Sequence, residues 1–191
     1  MRAIFHPDSI EFESYPFAPA SVASGKRLPH ALIRDVDVSA APPEIRTLQG
    51  ETLFVSAEQR EEFQAAMRAA GIAEVRRYDV WADLLEPYLD TEFTLQEQRE
   101  TLARLNECGC VETEVNQIRR RVERPMLTYN FALWEWVHLG LFDVLLAMRP
   151  RLTLAAWIDP RVKRFERFYR DAMFIAEHGR RKQEATRTSH E

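Results

Sequence analysis

The sequence has little in it that staples, targets or catalyses. Only two cysteines, Cys108 and Cys110, occur in 191 residues. A disulfide framework is therefore not expected, and a reducing, cytoplasmic location is the simplest reading. The start, "MRAIFHPDSIEFES", has no apolar h-region, so no signal peptide is expected there. Positive charge is not in excess: 26 Lys and Arg face 30 Asp and Glu, for a net charge of -4. That balance argues against binding nucleic acid or an anionic membrane by bulk charge. Internal repeats, long low-complexity tracts and diagnostic catalytic or cofactor motifs are all missing. What remains is an ordinary globular composition, 46% hydrophobic and 29% charged, in a chain long enough to bury a core without disulfides or metals.

The most apolar stretch is "YNFALWEWVHLGLFDVLLAM", Tyr129 to Met148. From Met126 to Met148 the chain is long enough to cross a bilayer. Yet Asn130, Glu135, His138 and Asp143 lie inside it, and an acid near a span's centre costs about 2.5–3.5 kcal/mol. A central core helix is expected instead, and no membrane partner.

Pattern divides the chain near Arg77. Residues 1–77 read as mostly β. Ile10 and Phe12 alternate with Glu11 and Glu13, as in a half-buried strand. "YPFAPASVASGKRLP" reads as a loop. In "IRDVDVS", Val36 and Val38 point one way and Asp35 and Asp37 the other, until Pro42-Pro43 breaks the strand. "EIRTLQGETLFVS" reads as a hairpin turning at Gln49-Gly50. Ser56 with Gln59 predicts a capping box for a helix that buries Phe63, Ala66, Met67 and Ala70 and stops at Gly71. "IAEVRRY" predicts a returning strand.

Residues 78–179 read as helices. Asp79 caps the first, and Pro87 ends or kinks it. Thr94 and Glu97 form a capping box for the second, which ends at Gly109. A third spans about Thr113 to Thr128, with Val115, Ile118, Val122 and Met126 inward. The apolar stretch forms the fourth. Asp159-Pro160 starts the fifth, which stops at Gly179, and residues 180–191 are left as a mobile polar tail. The expected fold is a single α+β unit over 1–191. It has a small N-terminal antiparallel or mixed sheet followed by a C-terminal bundle of about five helices.

Each candidate site competes with a plainer account. "ASVASGKR" (Ala20 to Arg27) has the Gly25-Lys26 pair of a P-loop. It lacks the first glycine, the magnesium-binding hydroxyl and the strand and helix that a phosphate cradle needs, so it reads as a solvated loop. Cys108-Gly109-Cys110 has no second Cys/His pair at finger spacing. It reads as a helix stop flanked by small apolar residues. Asp79, Asp83, Glu86 and Asp90 fall within about 60° on a helix whose other side carries Val80, Trp81, Leu84, Leu85 and Tyr88. Like charges at this spacing repel, so the acidic face is expected to meet solvent or a basic partner. A site for a divalent cation is the sharper alternative.

A basic face exists in the same chain. Lys163, Arg164, Arg167 and Arg170 gather opposite Val162, Phe165, Tyr169, Ala172 and Ala176, and Arg119-Arg120-Arg121 adds a second run. Such a stripe suits a phosphate backbone, or the acidic face of this chain or of a second copy. Glu135 and His138, three residues apart, share adjacent helical turns and can share a hydrogen bond or a metal ion. On that helix wheel Leu139, Phe142 and Leu146 lie within about 40° of Glu135. Di-iron bundles use Glu-x-x-His twice, and no second copy occurs here. A buried acid paired with His138 or a neighbouring Arg is the plainer account.

Taken together, the residues point to a non-catalytic cytoplasmic binding or regulatory protein that acts through protein–protein association. The partner is another protein or a second copy as a homodimer, and no cofactor is expected. The alternative is a metal-dependent hydrolase using the acidic helix face with Glu135 and His138, with a divalent metal as cofactor. Nucleic-acid binding through the basic C-terminal helix is a second alternative, and is disfavoured by the acidic total.

Overall fold

A computed structural model describes residues 1–23, 25–89, 94–133, 139–150 and 160–188, with the backbone alone at 130–133 and 181–188. The fold is α+β. The chain forms two compact units, Met1–Arg77 and Tyr78–Glu191.

The first unit holds two small antiparallel sheets. In one, strands β1 (Arg2–Phe5), β2 (Ser9–Ser14) and β3 (Arg27–Pro29) lie in that order. Alternation in β2 turns Ile10 and Phe12 into the core, while Glu11 on the opposite face pairs with Arg27 at 2.8 Å and His6 at 3.2 Å. Sequence pattern misses β1 and β3. Each is too short to show a period, and β3 sits inside the Pro- and Ser-rich segment that reads as loop. The second sheet has the order β4 (Ile33–Asp37), β5 (Glu44–Thr47), β6 (Thr52–Phe54). Its hairpin turns at Gly50, whose φ of 82° is open to glycine at no steric cost.

Helix α1 (Arg60–Ala69) follows a short 3-10 turn and buries Phe63 and Met67. The expected capping box does not form, because Ser56 makes no side-chain cap bond. Gln59 is drawn to β1 instead. Its carboxamide accepts from the Ala3 N–H at 2.9 Å and donates to the Ala3 carbonyl at 2.8 Å. The chain leaves α1 through Gly71 at φ 69°. The segment after it makes a single parallel bridge, Val36 to Glu74, rather than a strand.

Both faces of β4 are covered. Val36 and Val38 are buried, and so is Asp37. Asp37 accepts from the N–H groups of Ser39 (3.1 Å), Ala40 (3.2 Å) and Arg77 (3.0 Å) and from the Ser39 hydroxyl (2.7 Å). Arg46, only 1% exposed, donates to Asp35 and to the Val75 carbonyl and lies 3.8 Å from Glu44. Arg77 bonds Glu44 at 2.9 Å and the Thr52 hydroxyl at 3.1 Å. Arginine suits this place because its planar fork serves several acceptors at once.

The second unit is helical: α2 (Val80–Leu85), α3 (Leu95–Glu107), α4 (Glu112–Leu133), α5 (Leu141–Met148) and α6 (Pro160–Thr188). Its core gathers Trp81, Leu84 and Leu85 of α2, Leu105 of α3, Val115, Val122 and Met126 of α4, Val144 and Leu145 of α5, and Phe165, Phe168 and Ala172 of α6. The Trp81 indole donates to the Ala172 carbonyl at 3.0 Å and meets the Phe168 ring edge-on at 6.2 Å. Buried aromatic nitrogens need such a partner.

Two helix boundaries differ from expectation. The apolar stretch is not one helix: α4 runs past Thr128 to Leu133, and α5 starts afresh at Leu141. Gly140 is extended there, and its N–H bonds the Asp143 carboxylate at 2.9 Å. The helix wheel that carries the Glu135 face on to Phe142 and Leu146 is therefore interrupted at Gly140. At the other end, α6 passes through Gly179 and continues to Thr188. Gly179 is buried in the helix, and the following Arg, Lys, Gln and Glu residues are good helix formers that give no reason to stop. Among the described residues, no helix is long and apolar enough to cross a membrane.

Two outcomes are expected. Replacing Arg46 with Met keeps the bulk but removes one charged partner from half-buried Asp35 and Glu44, which Arg34 and Arg77 still meet, so urea denaturation should show a loss of about 1–3 kcal/mol, and Lys should rescue it only in part. At the start of α3, Glu97 accepts from the Thr94 N–H and hydroxyl, each at 2.8 Å. These bonds, the backbone one first, hold its carboxyl below the usual range. The cap's contribution is thus complete above the unfolded value of about 4.3 and is lost as pH falls through the lower folded one. Glu97→Gln should flatten that acid loss of helicity, measured by far-UV circular dichroism.

Candidate interaction surface

The acidic helix face forms, but its charges are already engaged. Asp79 caps α2 by accepting from the Ala82 N–H at 3.1 Å. Asp83, with 13% of its side chain exposed, receives Arg104 of α3 through Nε at 3.1 Å and Nη2 at 3.0 Å. The Tyr78 hydroxyl donates to the same carboxylate. Glu86 accepts from the Thr101 hydroxyl and lies 3.6 Å from the same guanidinium. Asp90 lies outside the described residues. Arg119 of α4 reaches the Asp83 and Leu84 carbonyls at 3.0 and 3.1 Å, where the last turn of α2 presents its negative end. The Tyr88 hydroxyl donates to the Arg119 carbonyl at 2.6 Å.

The ionisations follow from this packing. Burial, then the bond to Asp83, pushes the Tyr78 phenol well above its ordinary value. Burial raises Tyr88 to about 12, with help from the Glu123 charge. The bond to Asp83 holds the Arg104 proton more firmly, while burial lowers Arg119.

The basic face is different. Lys163, Arg164, Arg167 and Arg170 of α6 are all exposed. Among the described residues, none of them bonds a carboxylate. The acids of α2 are taken by Arg104 on α3, not by α6. Of the 119–121 run, Arg119 turns to α2, Arg120 is exposed, and Arg121 pairs with Asp171 at 2.7 Å above the Phe168 ring. Glu135 and His138 lie outside the described residues. Among the described residues, no three His, Cys, Asp or Glu side chains group as metal ligands would.

One feature escapes sequence reading. His178 of α6 is buried, and its Nδ1 lies 3.4 Å from the Cys110 sulfur and 3.2 Å from the Cys108 carbonyl. The edge of its ring meets Phe174 one turn earlier, with centroids 5.3 Å apart at 77°. Phe174 is itself 62% exposed. The only available signal was Phe174 and His178 at i,i+4 on a helix.

Asp83→Asn should cost about 1–3 kcal/mol in chemical denaturation, since Arg104 and Tyr78 both lose a charged acceptor. The same change should bring the Tyr78 ionisation back toward the ordinary range in an ultraviolet titration. No family model, curated protein or solved structure matches this chain, so the reading of this surface rests on its own geometry.

Proposed function

We propose that this is a non-catalytic cytoplasmic binding or regulatory protein, and that it associates through the exposed basic face of α6. One observation carries the reading. The acids of α2 are neutralised by Arg104 while Lys163, Arg164, Arg167 and Arg170 stay exposed and unmatched among the described residues. Such cations contribute little to folding. They steer an acidic protein surface toward the helix and set its register.

The reading is tested by reversing charge at Arg167 and Arg170 together. Stability should move by less than about 0.5 kcal/mol, as for exposed sites. Self-association, if a second copy is the partner, should appear in sedimentation at low salt, fade at high salt and vanish in the variant. A wild type that stays monomeric at both salts rules out the homodimer and leaves a different acidic protein. A partner held equally well by the charge-reversed variant would overturn the assignment of this face.

A further inference from the structure

The chemistry of the partner is written on the same helix. At about 100° per residue, Lys163, Arg167, Arg170 and Phe174 fall within about 60° of one another. They span about 17 Å of helix axis. Phe174 is thus not beside the basic row but in line with it. It is the only aromatic among the described large hydrophobic side chains that stay exposed. A lone exposed apolar residue is unremarkable. This one is held: its ring meets the edge of His178, which the Cys110 sulfur and Cys108 carbonyl fix from below. An exposed ring with its orientation already set is a preorganised anchor, because less side-chain freedom is lost when a partner covers it.

We infer that the α6 row receives an acidic amphipathic helix, whose carboxylates meet Lys163, Arg167 and Arg170 and whose apolar side chain covers Phe174. This deepens, and rests on, the proposed basic-face function. The spacing of four, three and four residues is the repeat by which one helix face reads another. The flanks choose between polyanions. Glu166 is exposed on one side of the row, and Asp171, held by Arg121, borders the other. A nucleic-acid backbone brings a continuous line of phosphates past both carboxylates. A helix brings a few separate carboxylates that fall only where the cations are.

The test uses the full chain and fluorescence anisotropy. The probe is a labelled synthetic helix of about 15 residues, the length at which helices become marginally stable alone. It carries Glu at the matching spacing and Leu one turn beyond. A second probe replaces that Leu with Ser, and a third is oligothymidylate. The Leu probe should bind in a salt-sensitive way. Loss of its Leu, or Phe174→Ala in the protein, should each weaken binding about tenfold or more, as for a central aromatic anchor. Arg167→Glu with Arg170→Glu should abolish it. Phe174 is exposed, so an unchanged thermal melt is expected for its Ala variant. Equal binding of the Leu and Ser probes, with charge reversal still effective, would overturn the anchored helix and spare the basic-face function. Tighter binding of oligothymidylate would replace the acidic helix by single-stranded nucleic acid. Failure of every probe, or binding indifferent to charge reversal, would overturn both.

Discussion

A carboxylate partly withdrawn from water has to be neutralised where it stands. Both units are arranged around that constraint. In the first, half-buried Asp35 and Glu44 are met by Arg34, Arg46 and Arg77. In the second, Asp83 and Glu86 sit against α3 and are answered by Arg104. Desolvating such charges is expensive, and the pairing mostly recovers that cost rather than adding net stability. What it yields is specificity of arrangement. Arg46 reaches both Asp35 and the Val75 carbonyl, so it fixes where the irregular segment after Gly71 lies against β4. In the same way Arg104 and Arg119 fix α2 against α3 and α4.

The same constraint sorts structural charge from available charge. Counted along the sequence, the acids of α2 and the cations of α6 look like equal and opposite faces. In the fold they are unlike. The acids are used up within the unit by partners on neighbouring helices, whereas the α6 cations lie on the outer side of a helix whose inner side packs on Trp81. Among the described residues these cations have no carboxylate partner, and that is the physical basis for proposing α6 rather than α2 as an interaction face.

Much of this was legible in the residues, and the exceptions have physical causes. Local chemistry read well: Asp79 as a cap, Thr94 with Glu97 as a box, Gly50, Gly71 and Gly109 in the left-handed region, and Pro160 at a helix start. Those signals need only neighbours in sequence. Most of what failed needed distant ones. Gln59 looked like a box partner until β1 offered it a backbone to pair with. Asp35 and Asp37 were read only as the face opposite Val36 and Val38, and Arg46 and the chain at Arg77, which cover that face, lie far off in sequence. The acidic face of α2 looked open because Arg104 is 21 residues away from Asp83. The link from Cys110 to His178 spans 68 positions and left no periodic trace at all. The candidate pair Glu135 and His138 lies outside the described residues, and the wheel that carried its face on to Phe142 and Leu146 assumed a helix through Gly140, where the backbone is extended.

The contact between Gln59 and Ala3 shields the edge of the first sheet. β1 is an outer strand of its sheet, and an outer strand invites another chain to add a strand of its own. Gln59 presents one donor and one acceptor to Ala3, as a neighbouring peptide unit would. The strand is thereby completed in the middle by a single side chain that imitates a backbone without continuing it. A growing ladder has nowhere to start at that point. The same four-residue strand that is too short to announce itself in the sequence thus offers no free backbone pair at Ala3.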